Sequence, residues 1–112
     1  MNPFSTLTDL ADGLRSRHFS SVELARFYLD RIERLDAAYN TFITVTRDRA
    51  LAQAAAADTK LRIGSSTPLT GLPIAHKDIF CTAGVRTSCG SKMLDSFIAP
   101  YDATAVARLD AA

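Results

Sequence analysis

The chain has 112 residues, 47% of them hydrophobic, and thirteen basic against twelve acidic side chains give a formal charge of +1. This composition excludes a fibrous or disordered class and predicts one modest folded piece with little stability to spare. So small a charge excludes a bulk field for holding nucleic acid or an anionic membrane, and no stretch approaches the ~20 apolar residues that span a bilayer.

The first residues, MNPFSTLTDLADGLRSR, carry no continuous apolar run of signal-peptide length, which predicts a cytoplasmic protein. Leu7, Leu10, Ala11 and Leu14 recur at helical spacing and predict a short helix over residues 6–17, with Thr6 and Asp9 resembling a capping box and Gly13 as its weak point. A stronger helix is predicted after Ser20, the N-cap, with Glu23 three residues on and Ala25, Tyr28, Leu29, Ile32 and Leu35 along one face. Arg26, Arg31, Arg34, Arg47 and Arg49 are interleaved with Asp30, Glu33, Asp36 and Asp48, so this region reads as a solvated face rather than a basic patch.

Asn40 interrupts the pattern, and FITVT (42–46) reads as a short strand or an extended link. From Asp48 to Leu61 the alanine-rich sequence predicts a helix whose small residues Ala50, Ala54 and Ala57 allow close packing. After the loop at residues 64–68 the character becomes extended. PIAHKDIF (73–80) predicts a strand, and TAGVRTSCGS (82–91) a loop turned at Gly84 and Gly90. Asp102, after Pro100, is positioned to cap a last helix over residues 102–112 containing Ala105, Val106 and Leu109. That helix ends at LDAA without a Gly, Asn or Pro stop, so the end reads as cut; no linker divides the chain into two domains.

Lys77 carries the most chemistry. On a strand, Ala75 and Lys77 share one face while Ile74, His76 and Asp78 share the other, so Asp78 is expected to bond to backbone or loop rather than to Lys77. Burial disfavours an ammonium group and turns a lysine into a neutral base. On the residues alone, a strand-end lysine reaching solvent is the more ordinary reading, and His76 is a satisfied histidine on the opposite face. Ser65, Ser66, Ser88 and Ser91 read as turn or cap serines. Cys81 and Cys89 are too few and too far apart for a zinc site of CxxC type and read as free thiols.

The block GLPIAHKDIFCTAGVRTSCGSKML resembles the first signature block of the amidase signature family. Its continuation, LDSFIAPYDATAVARL, is similar to the branch of that family that serves tRNA-dependent amidotransferases, and the likeness extends back through SSVELARFYLDRIERLDAAYNTFITV. The resemblance implies an α/β fold, a mixed sheet covered by helices. On this resemblance, residues 1–112 are expected to form the N-terminal part of one such domain: helical over 1–62, a strand and loop bearing Lys77 over 71–91, and a helix over 102–112. It further implies a Ser–cisSer–Lys triad in which Lys77 matches the lysine, while both serines come from a Gly/Ser-rich block that these residues do not contain.

By the same resemblance the activity is glutamine hydrolysis, with ammonia passed to a B subunit in a heterotrimer completed by a C subunit. ATP and Mg²⁺ act in the partner subunit, and tRNA is reached through the complex. This chain carries no P-loop to hold a nucleotide itself. Two other readings stay open: a general amidase acting on small amides without partners, and a non-catalytic interaction module. The 112 residues alone are expected to be inactive and, with sheet partners missing, poorly stable.

Overall fold

A computed structural model describes all residues from Met1 to Ala112. Four α-helices and one 3₁₀ turn make up its regular structure: α1 (Leu7–Arg15), α2 (Ser21–Tyr39), α3 (Arg47–Ile63), the turn Lys92–Leu94, and α4 (Thr104–Ala111). The chain divides into two units, Met1–Pro73 and Ile74–Ala112.

In the first unit the predicted helix signals operate as read. The Thr6 hydroxyl accepts the Asp9 amide while the Asp9 carboxylate accepts the Thr6 amide, and Ser20 and Glu23 repeat this reciprocal cap at α2. The Thr6 hydroxyl also donates to the Asp9 carboxylate at 2.8 Å, and this bond at Asp9, like the Ser20 amide at Glu23, holds the carboxyl below its usual range. Leu10, Leu14 and Leu24 form the core, with Phe19, Tyr28, Leu61 and Leu72 packed against it. Leu24 is fully buried although the predicted face of α2 omits it, whereas Leu7, predicted to face inward on α1, is exposed.

Gly13 is required by its neighbour. A Cβ there would lie 2.3 Å from the tip of the Phe19 ring, so the residue that weakens α1 locally is what lets the ring close over it. Helix α2 ends at Asn40 in the left-handed conformation, and the Asp36 carboxylate accepts the amides of Thr41 and Phe42 at 2.7 and 3.1 Å. The link at 42–46 forms no strand.

Helices α2 and α3 are joined by a polar lock at the start of α2. Asp58 of α3 accepts the Ser21 amide at 2.6 Å and the Val22 amide at 3.2 Å, two donors that have no partner inside their own helix. The buried Ser21 hydroxyl donates to the Gly71 carbonyl at 2.8 Å. Ala54 is the buried member of the small-residue face on α3, as expected for close packing. At the other end of the pair, the Arg47 guanidinium reaches Asp30 and Glu33 at 3.2 and 2.9 Å.

The second unit departs from the expected architecture. The residues contain no strand, and in particular none forms over 73–80; sheet-like pairing is limited to one antiparallel bridge between Arg86 and Ile98. The physical reason lies in where the backbone groups go. The Phe80 amide donates back to the Lys77 carbonyl at 3.0 Å, closing a turn, and the Asp78 carbonyl accepts from Cys89 at 2.9 Å, so no ladder partner lies alongside. The mixed sheet is therefore not formed by these residues themselves.

Instead, residues 82–87 and 97–99 run as a short irregular ribbon, tied by Gly84 N–H to Ala99 O, Ala99 N–H to Val85 O, and Thr87 N–H to Phe97 O, each between 2.9 and 3.1 Å. Asp102 does not cap α4. The N-cap is Ala103, and the Asp102 carboxylate accepts the Ala83 amide at 2.7 Å, a long-range partner that displaces the local one. Of the apolar residues predicted on α4, only Val106 is buried.

Candidate active-site segment around Lys77

Lys77 occupies the first position of the turn that ends at Phe80, and its side chain is exposed and free of ion pairs. Strand alternation cannot direct it, because there is no strand. Its exposure matches the ordinary reading of the residue alone. Burial that favours a neutral amine is not supplied by these 112 residues. Ile74, Ile79 and Phe80 around it are also exposed, at 51%, 51% and 40%. His76 is exposed as well, so its assignment to an opposite strand face does not hold.

Asp78 behaves as expected toward Lys77 and does more than the sequence suggests. Its carboxylate makes no ion pair with Lys77 and accepts instead from the loop at 88–90: the Ser88 amide at 2.9 Å, the Ser88 hydroxyl, and the Gly90 amide at 3.4 Å. The Ser88 hydroxyl bond, against a smaller opposing effect of burial, holds the Asp78 carboxyl below its usual range, so the group stays an ionised acceptor. Ser88 is buried, 3% exposed, and its carbonyl accepts the Ser91 amide at 2.8 Å. Ser88 is thus more than a turn serine, while Ser91 is the cap expected of it, accepting the Met93 amide at 3.2 Å.

The signal for this arrangement lies in the KD and TSCGS segments, ten residues apart. Sequence reasoning sees each but not that one folds over the other. Cys89, with φ +53°, takes the left-handed turn conformation between Ser88 and Gly90 and leaves its thiol exposed. Cys81 is the second free thiol, and its hydrogen bond with the Tyr101 hydroxyl raises that phenol above its usual range.

Arg86 joins the same region by donating through its guanidinium to the Asp95 carbonyl and carboxylate. Asp78, Ser88 and Gly90 thus form a brace directly after Lys77, and the lysine amine projects from it without a bond of its own. An exposed amine on a braced turn can bind an anion, or act on a proton once other parts of a protein enclose it.

The sequence matches the family model described as Amidase over residues 23–112. It is 65% identical over 107 residues to the A subunit of the glutamyl-tRNA(Gln) amidotransferase of Methylococcus capsulatus, an alignment covering 96% of this chain and 22% of that protein. The protein of the same name from Cellvibrio japonicus is 65% identical over 101 residues, 90% of this chain and 21% of that protein. The chain spans about a fifth of the length of these relatives.

Among solved structures, it superposes with a TM-score of 0.89 at 34% identity on an inhibitor-bound complex, described as a vestigial protein complex that reveals the evolutionary origins of an s-triazine catabolic enzyme. The match covers 96% of this chain and 24% of the other. A second structure of the same description, without mention of an inhibitor, matches with a TM-score of 0.88. No helix is long and apolar enough to cross a membrane. With the family model spanning most of its length and its chain path shared with the solved relatives, this chain belongs to the amidase family.

Proposed function

We propose that this chain is the lysine-bearing N-terminal part of the glutamine-hydrolysing subunit of a cytoplasmic tRNA-dependent amidotransferase, with both of its units belonging to one amidase domain. The observation that carries the reading is the 65% identity to A-subunit proteins across residues that include the whole Lys77 block. The bonds that turn the Asp78 carboxylate toward the loop at 88–90, and so away from the Lys77 amine, support it.

In this reading the neutral Lys77 amine takes a proton, through a serine held by a cis peptide, from a second serine whose oxygen attacks the carboxamide carbon of glutamine. The C–N bond breaks, ammonia leaves with the returned proton, and water releases glutamate from the acyl-enzyme. Ammonia then serves B and C subunits, which amidate misacylated Glu-tRNA(Gln) or Asp-tRNA(Asn) using ATP and Mg²⁺ bound by the partner. Both serines lie in the rest of the enzyme, and the 112 residues by themselves hydrolyse no amide.

The test is glutaminase activity of the full-length enzyme carrying this segment, with and without the partner subunits. Lys77→Ala is expected to abolish ammonia release, while retained activity removes the assignment. A second reading, an amidase acting on other small amides, draws on the 34% identity to the s-triazine-related complex. Activity on small amides that is indifferent to partner subunits, with none on glutamine, would favour it.

A further inference from the structure

Four hydrogen bonds converge on the residue that follows Lys77. The Asp78 carboxylate receives the Ser88 amide, the Ser88 hydroxyl and the Gly90 amide, while its carbonyl receives the Cys89 amide at 2.9 Å. All polar groups of Ser88 are engaged, since its carbonyl accepts from Ser91. The preceding residue, Thr87, is buried and bonded through its amide to Phe97 at 3.0 Å, so Ser88 is anchored from the ribbon side as well. On the other side of Asp78, the Lys77 carbonyl is fixed by the Phe80 amide.

This holds the Lys77 carbonyl and the peptide that follows it, while the side chain carries no bond of its own. The direction in which the side chain departs is therefore set by the peptide that Asp78 anchors. The brace also turns both Asp78 oxygens toward the loop at 88–90, which keeps the adjacent carboxylate from pairing with the amine.

We propose that Ser88 is a positioning residue for the Lys77 amine, acting through Asp78 to fix the turn from which the lysine projects and to keep the neighbouring carboxylate away from it. The inference rests on the reading of Lys77 as the proton-handling group. It assigns Ser88 no contact with substrate.

The experiment is steady-state glutamine hydrolysis by the full-length enzyme in its complex, comparing Ser88→Ala, Ser88→Thr and Lys77→Ala. Because small displacements of a reacting group are costly, Ser88→Ala is expected to lower kcat by about 10- to 100-fold with KM nearly unchanged. Ser88→Thr keeps the hydroxyl and the amide and is expected to recover most of the rate. An unchanged kcat in Ser88→Ala, or equal losses in the alanine and threonine variants, overturns the proposal. Should Ser88→Ala not fold, the isosteric Asp78→Asn decides: it replaces one acceptor oxygen by a donor, and a wild-type kcat in that variant overturns the proposal equally. Full activity in Lys77→Ala instead removes the catalytic reading itself, so the two failures are distinguishable.

Discussion

Residues 1–73 and 74–112 solve the same problem with different forces. In the first region, three leucines on two helices close a core, and the helix ends are satisfied by caps three residues away and, at the start of α2, also by Asp58 reaching across from α3. In the second, Val106 and Ala99 are nearly the whole of the buried apolar content, and order comes from backbone and carboxylate hydrogen bonds reaching across ten to twenty residues. Met93, Phe97, Ile98 and Tyr101 stay exposed there, Met93 at 94%. Apolar packing is non-directional and tolerates exchange of similar side chains, whereas a hydrogen-bonded brace fixes the orientation of particular residues. The region that carries Lys77 is the one built by the directional force.

The sharpest way to break this contrast is to empty the helical core. Leu24→Ala is expected to cost about 3 kcal/mol from lost transfer energy and cavity formation, read as a lowered urea midpoint or as faster hydrogen exchange along α2. A loss below about 1 kcal/mol would mean that packing at Leu24 does not hold the first region together.

A smaller effect tests its polar joint. Asp58→Ala strands the amides of Ser21 and Val22 and is expected to cost about 2 kcal/mol, since both bonds run to a charged acceptor. If exchange at these two amides is unaffected, the helix end has another partner.

The smallest effect sharpens the contrast from the other side. The Asp78 carboxyl is held below its unfolded value by the Ser88 hydroxyl, so the stabilisation is fully present above a pH of about 4 and is lost as pH falls through the lower folded value. Acidification should therefore release the Ser88 and Gly90 amides to exchange at a pH below that of an unperturbed carboxylate. Asp78→Asn should remove this step, and the same titration in both proteins would expose an origin elsewhere.

The two regions were also unequally legible. Ser20 with Glu23, and Thr6 with Asp9, announce their helices because a cap and its donor lie three residues apart, within the reach of local sequence. The need for a glycine at position 13 was not visible, since it depends on where the Phe19 ring folds back. Asp102 illustrates the limit: it stands where a cap residue belongs, yet the Ala83 amide, nineteen residues away, takes its carboxylate.

The sequence by itself determined the helices α1, α2 and α3, the reciprocal caps of α1 and α2, and the family resemblance carried by the block at 71–94. Each rests on spacing or residue type within a few positions. Only the tertiary structure decided that 73–80 forms no strand and closes a turn at Lys77–Phe80, that Ser88 folds onto Asp78, and that Lys77 stands exposed. Strand formation depends on a pairing partner, and a brace on two distant segments meeting; neither is encoded in the local pattern of the residues that take part.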